Sequence, residues 1–309
     1  MADLESFRRY CEQHYRPGSV KAYVTNAQTL LEFMGGAGMR DFAQLPTNLL
    51  IHYDEWMGQV GYTPSTAHAK LAAARSYLRW VRDLCDIPVP EQRKVRQRKV
   101  LVQVRQALEP GDFANYFVAA NQDTEPMRTA TMLLVCSGLR SQELLDLTVD
   151  NIHTTKIRLA DDTETDVTCF MVENGKGGKS RIVPLLEEGE EVLRQYFDGP
   201  WQRLAAPSKT RYLFPSKKYL GHPVRTRALR YAVKRVSERM GLDLSPHALR
   251  RTYLTQLHRI GVDFATISKI AGHEDPKTLY KHYLSLTGED VAAAVHERGG
   301  RLDGGKKGT

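Results

Sequence analysis

Apolar residues recur at helical spacing through the first quarter of the chain. Val20, Tyr23, Val24, Ala27, Leu30, Leu31 and Met34 share one face of a helix that Ser19 can cap and Gly35-Gly36 ends. Ala67, Leu71, Ala74, Leu78 and Val81 form a second stripe, opened by Thr63-Pro64 with proline at the first helical position. Asn48 to Met57 makes a third helix between them. The pattern predicts a small all-helical domain over residues 1–86. Pro88-Val89-Pro90 then breaks the periodicity, and Arg93, Lys94, Arg96, Arg98, Lys99 and Arg105 follow. This predicts a basic linker over 87–107. Such a charge run is ordinarily a solvated face. Between two basic folded halves it also suits a strap along a phosphate backbone.

Beyond Leu108 the pattern changes. Leu108 to Asp112 reads as a turn feeding a helix, and Thr131 to Cys136 as an apolar helix. Lys156–Leu159, Val167–Val172 and Arg181–Pro184 have strand character, after which helical patterns return. The predicted fold is mainly α with a small antiparallel β-sheet: a helical N-terminal domain, an α+β domain over 108–298, and a flexible Gly/Lys-rich tail over 299–309.

Composition narrows the function classes. The 309 residues, 41% hydrophobic and 26% charged, suit two folded domains rather than a disordered chain. A net charge of +8 and a pI of about 9.2 suit a polyanionic partner. The opening Met1-Ala2-Asp3-Leu4-Glu5 has neither the basic nor the apolar region of a signal peptide. The longest apolar stretch, around Ala130 to Cys136, is too short to span a bilayer. Cys11, Cys85, Cys136 and Cys169 are scattered without a CxxC, which fits reduced thiols in a cytoplasmic protein.

Four segments carry candidate chemistry. In Ser137-Gly138-Leu139-Arg140-Ser141-Gln142-Glu143 an apolar helix stops and a second begins, placing Arg140 beside helix N-terminal amides with Glu143 one turn on. Gly175-Lys176-Gly177-Gly178-Lys179-Ser180 ends like a phosphate-binding P-loop. That loop needs a glycine where Glu173 stands and a helix where Arg181-Ile182-Val183-Pro184 follows, so a hairpin with Lys176 at its tip is predicted instead. In His247-Ala248-Leu249-Arg250 the i, i+3 spacing puts imidazole and guanidinium on one helix face, with Pro246 at the helix start. Ile270-Ala271-Gly272-His273-Glu274 precedes Tyr280 and Tyr283. The zinc-protease pattern HExxH fails here, because Lys277 stands at the second histidine position and Pro276 breaks the helix, so no metal site is predicted.

In this order the four segments resemble the tyrosine recombinase, or phage integrase, family in its simple Xer-like, two-domain form. The resemblance covers nearly the whole chain. Its motifs are Leu139-Arg140 with Glu143-Leu144, the Gly-Lys-Gly hairpin ending in Val183-Pro184-Leu185, His247-x-Leu249-Arg250, and Gly272-His273 followed by tyrosine. Thr63-Pro64-Ser65-Thr66 with Tyr77-Leu78-Arg79-Trp80 looks like the last helices of the family's core-binding domain. Departures are Arg251 where histidine is frequent, Ala271 where leucine is usual, and His282 at the commonest tyrosine position.

The resemblance implies a site-specific recombinase that breaks and rejoins DNA strands through a 3′-phosphotyrosyl link and uses no cofactor. Tyr283, ten residues after His273, is the expected nucleophile, with Tyr280 in reserve. Arg140, Lys176, His247, Arg250 and His273 complete the implied catalytic set, supported by Glu143. The two domains would form a C-shaped clamp on double-stranded DNA. Lys70, Arg75 and Arg79 from the front half, Arg93, Arg96 and Arg98 from the linker, and Arg225, Arg227, Arg230, Lys234 and Arg235 from a rear helix are candidate DNA contacts. Inverted-repeat core sites, a dimer per site and a tetramer in synapsis follow by family analogy. The apolar segment Val291 to Val295 would dock on a neighbouring protomer. With the front domain starting near residue 1, no separate arm-binding domain is expected. The alternatives are a type IB topoisomerase-like relaxase, a DNA-binding architectural protein without catalysis, and, more weakly, an RNA-binding module.

Overall fold

A computed structural model describes residues 3–15, 17–96, 107–158, 162–173 and 180–272. Arg98, Lys176, His273, Tyr280, Tyr283, the 291–295 segment and the 299–309 tail lie outside the described residues. The chain divides into two compact units, Met1–Gln103 and Val104–Thr309.

The first unit is helical: α1 (Leu4–His14), α2 (Pro17–Gly36), α3 (Leu49–Gln59) and α4 (Pro64–Leu84). Thr63 caps α4 by accepting from the Thr66 amide, and Pro64 occupies the first turn. α4 is the central element, packed by both α2 and α3. It therefore buries more than the single stripe its sequence suggests: Lys70, Ala73, Tyr77 and Trp80 are buried as well as Leu71, Ala74 and Val81.

This corrects the expectation for Lys70. It is 7% exposed, its Nζ donates to Thr29 Oγ1 at 2.8 Å, and it sits 4.7 Å from the centroid of the Tyr62 ring. Burial pushes its pKa down. Buried, with its ammonium met by a hydroxyl of α2 and a ring face, Lys70 is an internal cation rather than a DNA contact. Arg75 is half-buried and Arg79 exposed on the same helix.

Residues 87–96 lie against this unit. Ile87, Val89 and Val95 pack on its core, and the Arg93 amide donates to Thr47 O at 2.8 Å. Arg93, Lys94 and Arg96 remain exposed.

The second unit contains α5 (Phe113–Ala120), α6 (Met127–Ser137), α7 (Ser141–Asp146), strands β1 (Ile152–Arg158), β2 (Glu164–Val172) and β3 (Arg181–Pro184), then α8 (Glu187–Phe197), α9 (Pro200–Ala205), α10 (Thr226–Met240), α11 (Pro246–Arg259) and α12 (Phe264–Ala271). α6 is buried from Thr129 to Ser137, and α8, α10 and α11 pack around it. The sheet is antiparallel in the order β1-β2-β3, with Ile152 opposite Phe170 and Phe170 opposite Val183. A strand follows Ser180, as the hairpin reading requires. No described helix is long and apolar enough to cross a membrane.

α6 ends at Gly138, whose φ of 59° is left-handed. A Cβ there would lie 2.8 Å from Tyr253 Cγ and closer still to Cδ1. Tyr253 cannot yield easily: it is fully buried, and its hydroxyl donates to Pro184 O at 2.7 Å. Gly138→Ala should therefore destabilise the second unit by about 2–5 kcal/mol, combining backbone strain with overpacking. Denaturant unfolding checks this; an unchanged midpoint would contradict it.

Candidate active site

The turn at Gly138 delivers Arg140 to the N-terminal cap of α7, one position before the first turn. Glu143 grips it twice: the Arg140 amide donates to Glu143 Oε2 at 2.8 Å, and Arg140 Nη1 donates to Oε1 at 2.7 Å. Arg140 keeps 32% of its side chain exposed. Arg250 arrives from α11 and is 2% exposed. Its Nη1 donates to Gly138 O at 2.7 Å and its Nη2 to Ala271 O. Its Nη1 also stands 3.9 Å from Glu143 Oε2.

A third arginine joins them. Arg181, at the start of β3, donates from Nη2 to Glu143 Oε2 at 2.7 Å and from Nε to Ile270 O at 2.8 Å. Glu143 is thus the shared anion of three guanidinium groups. Burial alone would push its carboxyl up. The hydrogen bond and charge of Arg181, then the amide and charge of Arg140, outweigh this and hold it at about 2. Its contribution to stability is complete above the ordinary carboxylate range and is lost as pH falls towards that value.

The three arginines also meet the end of α12. Arg181 takes the carbonyl of Ile270, Arg250 that of Ala271, and Arg140 Nη2 that of Gly272 at 3.3 Å. Carbonyls at a helix C-terminus are otherwise unsatisfied and carry partial negative charge, so cations gather there. Gly272 has a φ of 62°, and a Cβ on it would lie 3.2 Å from the Arg181 guanidinium. The chain leaving this cage is the one that enters His273.

His247 is exposed in the first turn of α11, which Ser245 caps, whereas Arg250 one turn later is buried. The structure thus brings Arg140, Glu143 and Arg250 together, with His247 at the solvent end of the same helix. Arg181 carried no role in the sequence reading, although a signal was present. Val183 lies opposite Phe170 and is buried, so Arg181 two residues earlier shares its inward face while Ile182 is 53% exposed.

Among the other candidate contacts, Arg225 precedes α10 and stacks 4.2 Å from the Tyr219 ring, while Arg227 bonds the Tyr231 hydroxyl at 3.1 Å. Both are exposed, as are Arg230 and Lys234. Arg235 is exposed too, but it has an internal partner. With Arg239 it forks the buried Asp123, at 2.8 Å each, and so ties α10 to the turn after α5. The acid is buried while Arg235 keeps 49% of its side chain exposed, so this arginine is already engaged at the protein surface.

A sequence profile for the phage integrase family matches residues 108–289. Along most of its length the chain is similar to the tyrosine recombinase XerD of Listeria innocua, 23% identical with 93% of this chain and 95% of that protein covered. It is also similar to the tyrosine recombinase XerA of Thermococcus kodakarensis, 24% identical with 94% and 93% covered. Its fold is similar to that of a XerH site-specific recombinase bound to palindromic difH substrate in a post-cleavage complex. There the TM-score is 0.70 at 18% identity, over 96% of this chain and 85% of the other. A lambda integrase dimer bound to a COC′ core site gives 0.66 at 14% identity, over 99% and 98%.

Proposed function

The chain belongs to the phage integrase family, and from that premise we propose that Arg140, Lys176, His247, Arg250, His273 and Tyr283 form one active site for DNA strand exchange. The protein is a tyrosine site-specific recombinase, and its partner is DNA. The observation that carries the assignment of residues is the convergence of Arg140 and Arg250 on Glu143 at the chain segment entering His273. Two guanidinium forks there suit the non-bridging oxygens of a scissile phosphate and the charge that grows on them.

In this reading the Tyr283 hydroxyl attacks phosphorus, its proton passing to a neighbouring acceptor, for which His247 is suited. Lys176 protonates the departing 5′ oxygen. The products are a 3′-phosphotyrosyl ester and a free 5′ hydroxyl. The ester retains the phosphodiester's energy, so a second strand's 5′ hydroxyl can displace the tyrosine without ATP. The first unit serves core binding and the second catalysis. Exposed Arg79, Arg93, Arg96, Arg225, Arg227, Arg230 and Lys234, with half-buried Arg75, supply phosphate contacts. The palindromic substrate of the XerH complex and the dimer in the lambda integrase complex support inverted-repeat sites with one protomer per half-site. A tetramer would pair two such sites, in the cytoplasm.

The test is covalent capture. Full-length protein is incubated with a pool of duplexes randomised over the core and nicked to trap the intermediate. A protease-sensitive protein-DNA adduct enriched for one sequence is expected, and its complete absence would sink the reading.

A further inference from the structure

Arg181 has no phosphate to hold in the reading above, yet it is more firmly built in than Arg140. Its side chain is 9% exposed. It spans two acceptors from different elements, Glu143 Oε2 in α7 and Ile270 O in α12. Gly272 leaves room for its guanidinium: a Cβ there would stand 3.2 Å from its Cζ, Nε and Nη1. Nη1 is buried with no hydrogen-bond partner among the described residues.

Arg140 and Arg250 also donate to carbonyls at the end of α12, Gly272 O and Ala271 O, but a phosphate held by these two would compete for the same donors. When they turn to phosphate, the end of α12 loses two of its three guanidinium partners. Arg181, sealed from solvent, keeps the third. It also keeps Glu143 in place as the hinge of Arg140. A lysine could not do both tasks, because one ammonium cannot reach two divergent acceptors as a planar fork does.

We propose that Arg181 is a positioning residue for strand cleavage, clamping Glu143 to the end of α12 so that Arg140 and Arg250 hold their geometry while a scissile phosphate is engaged. The proposal rests on the site being a DNA strand-transfer centre.

The test uses full-length protein and a nicked duplex that wild type captures covalently from the randomised pool. Single-turnover cleavage and non-covalent affinity are measured for wild type, Arg181→Met and Arg181→Lys across pH. Arg181→Met should cleave about 10–100-fold more slowly with unchanged affinity, the scale of a small misplacement at a reacting centre. Its rate should also fall off at a higher pH than wild type, because Glu143 loses a cation that keeps it ionised. Arg181→Lys, which keeps the charge but not the fork, should restore the acid side of the profile and remain slow. Cleavage by Arg181→Met at the wild-type rate would overturn the proposal. So would a loss uniform across pH that tracks melting temperature or affinity, which marks a merely structural arginine. If Arg181→Met does not fold, Arg181→Lys decides alone: slow cleavage at unchanged affinity supports the clamp and wild-type cleavage removes it. Absence of any adduct with wild type would bring down the functional reading, and this inference with it.

Discussion

Tyr283→Phe should abolish the covalent protein-DNA adduct while the protein still binds duplex. The substitution removes only the attacking oxygen, so duplex binding, which rests on other residues, should persist. Cleavage should fall by about four to six orders of magnitude, the scale seen when a covalent nucleophile is deleted elsewhere. The size of the effect follows from the chemistry. A phenol of pKa about 10 is a poor nucleophile until cations favour its ionised form, and nothing replaces it once removed. Tyr280→Phe should keep the adduct. Denaturing gels of the nicked-duplex reaction, with and without protease, report both. An adduct that survives in Tyr283→Phe and disappears in Tyr280→Phe would move the nucleophile to Tyr280.

Arg250→Ala should lose both activity and stability. Arg250 is 2% exposed and satisfies the carbonyls of Gly138 and Ala271. Truncation leaves two buried acceptors without that partner, at about 1–3 kcal/mol each, and opens a void. Loss of one fork on the phosphate should lower cleavage by about 100–1000-fold as well. Arg250→Lys separates the two effects. It keeps the charge, and with it part of the carbonyl contacts, but cannot bind bidentately. It should unfold closer to wild type in denaturant yet cleave nearly as slowly as the alanine variant. Near-normal cleavage by Arg250→Lys would show that charge alone suffices at this position.

Much of the fold was legible because its signals are local. Thr63-Pro64 opens α4, Gly138 closes α6, and Pro246 opens α11, each through the conformation or hydrogen bonding of one or two residues. Exchanging a P-loop for a hairpin needed only the β-branched run from Arg181 to Pro184. Lys70 was misread for a physical reason. A hydrophobic stripe reports one helix face, and α4 is covered on more than one. The pairing of Arg235 was not legible because its partner Asp123 lies 112 positions away in sequence.

The same boundary divides the candidate site. Its residue types, their order and the reaction class they suit are properties of the sequence alone, because each motif is a short local pattern. The tertiary structure decided how those residues share their charges. Glu143 serves three guanidinium groups, and the end of α12 receives one donor from each. Arg181 reaches Glu143 across 38 positions and Ile270 across 89. No periodicity carries such a pairing. It exists because the turn at Gly138, the inward face of β3 and the C-terminal carbonyls of α12 are brought to one place, where buried charge must be matched by buried charge.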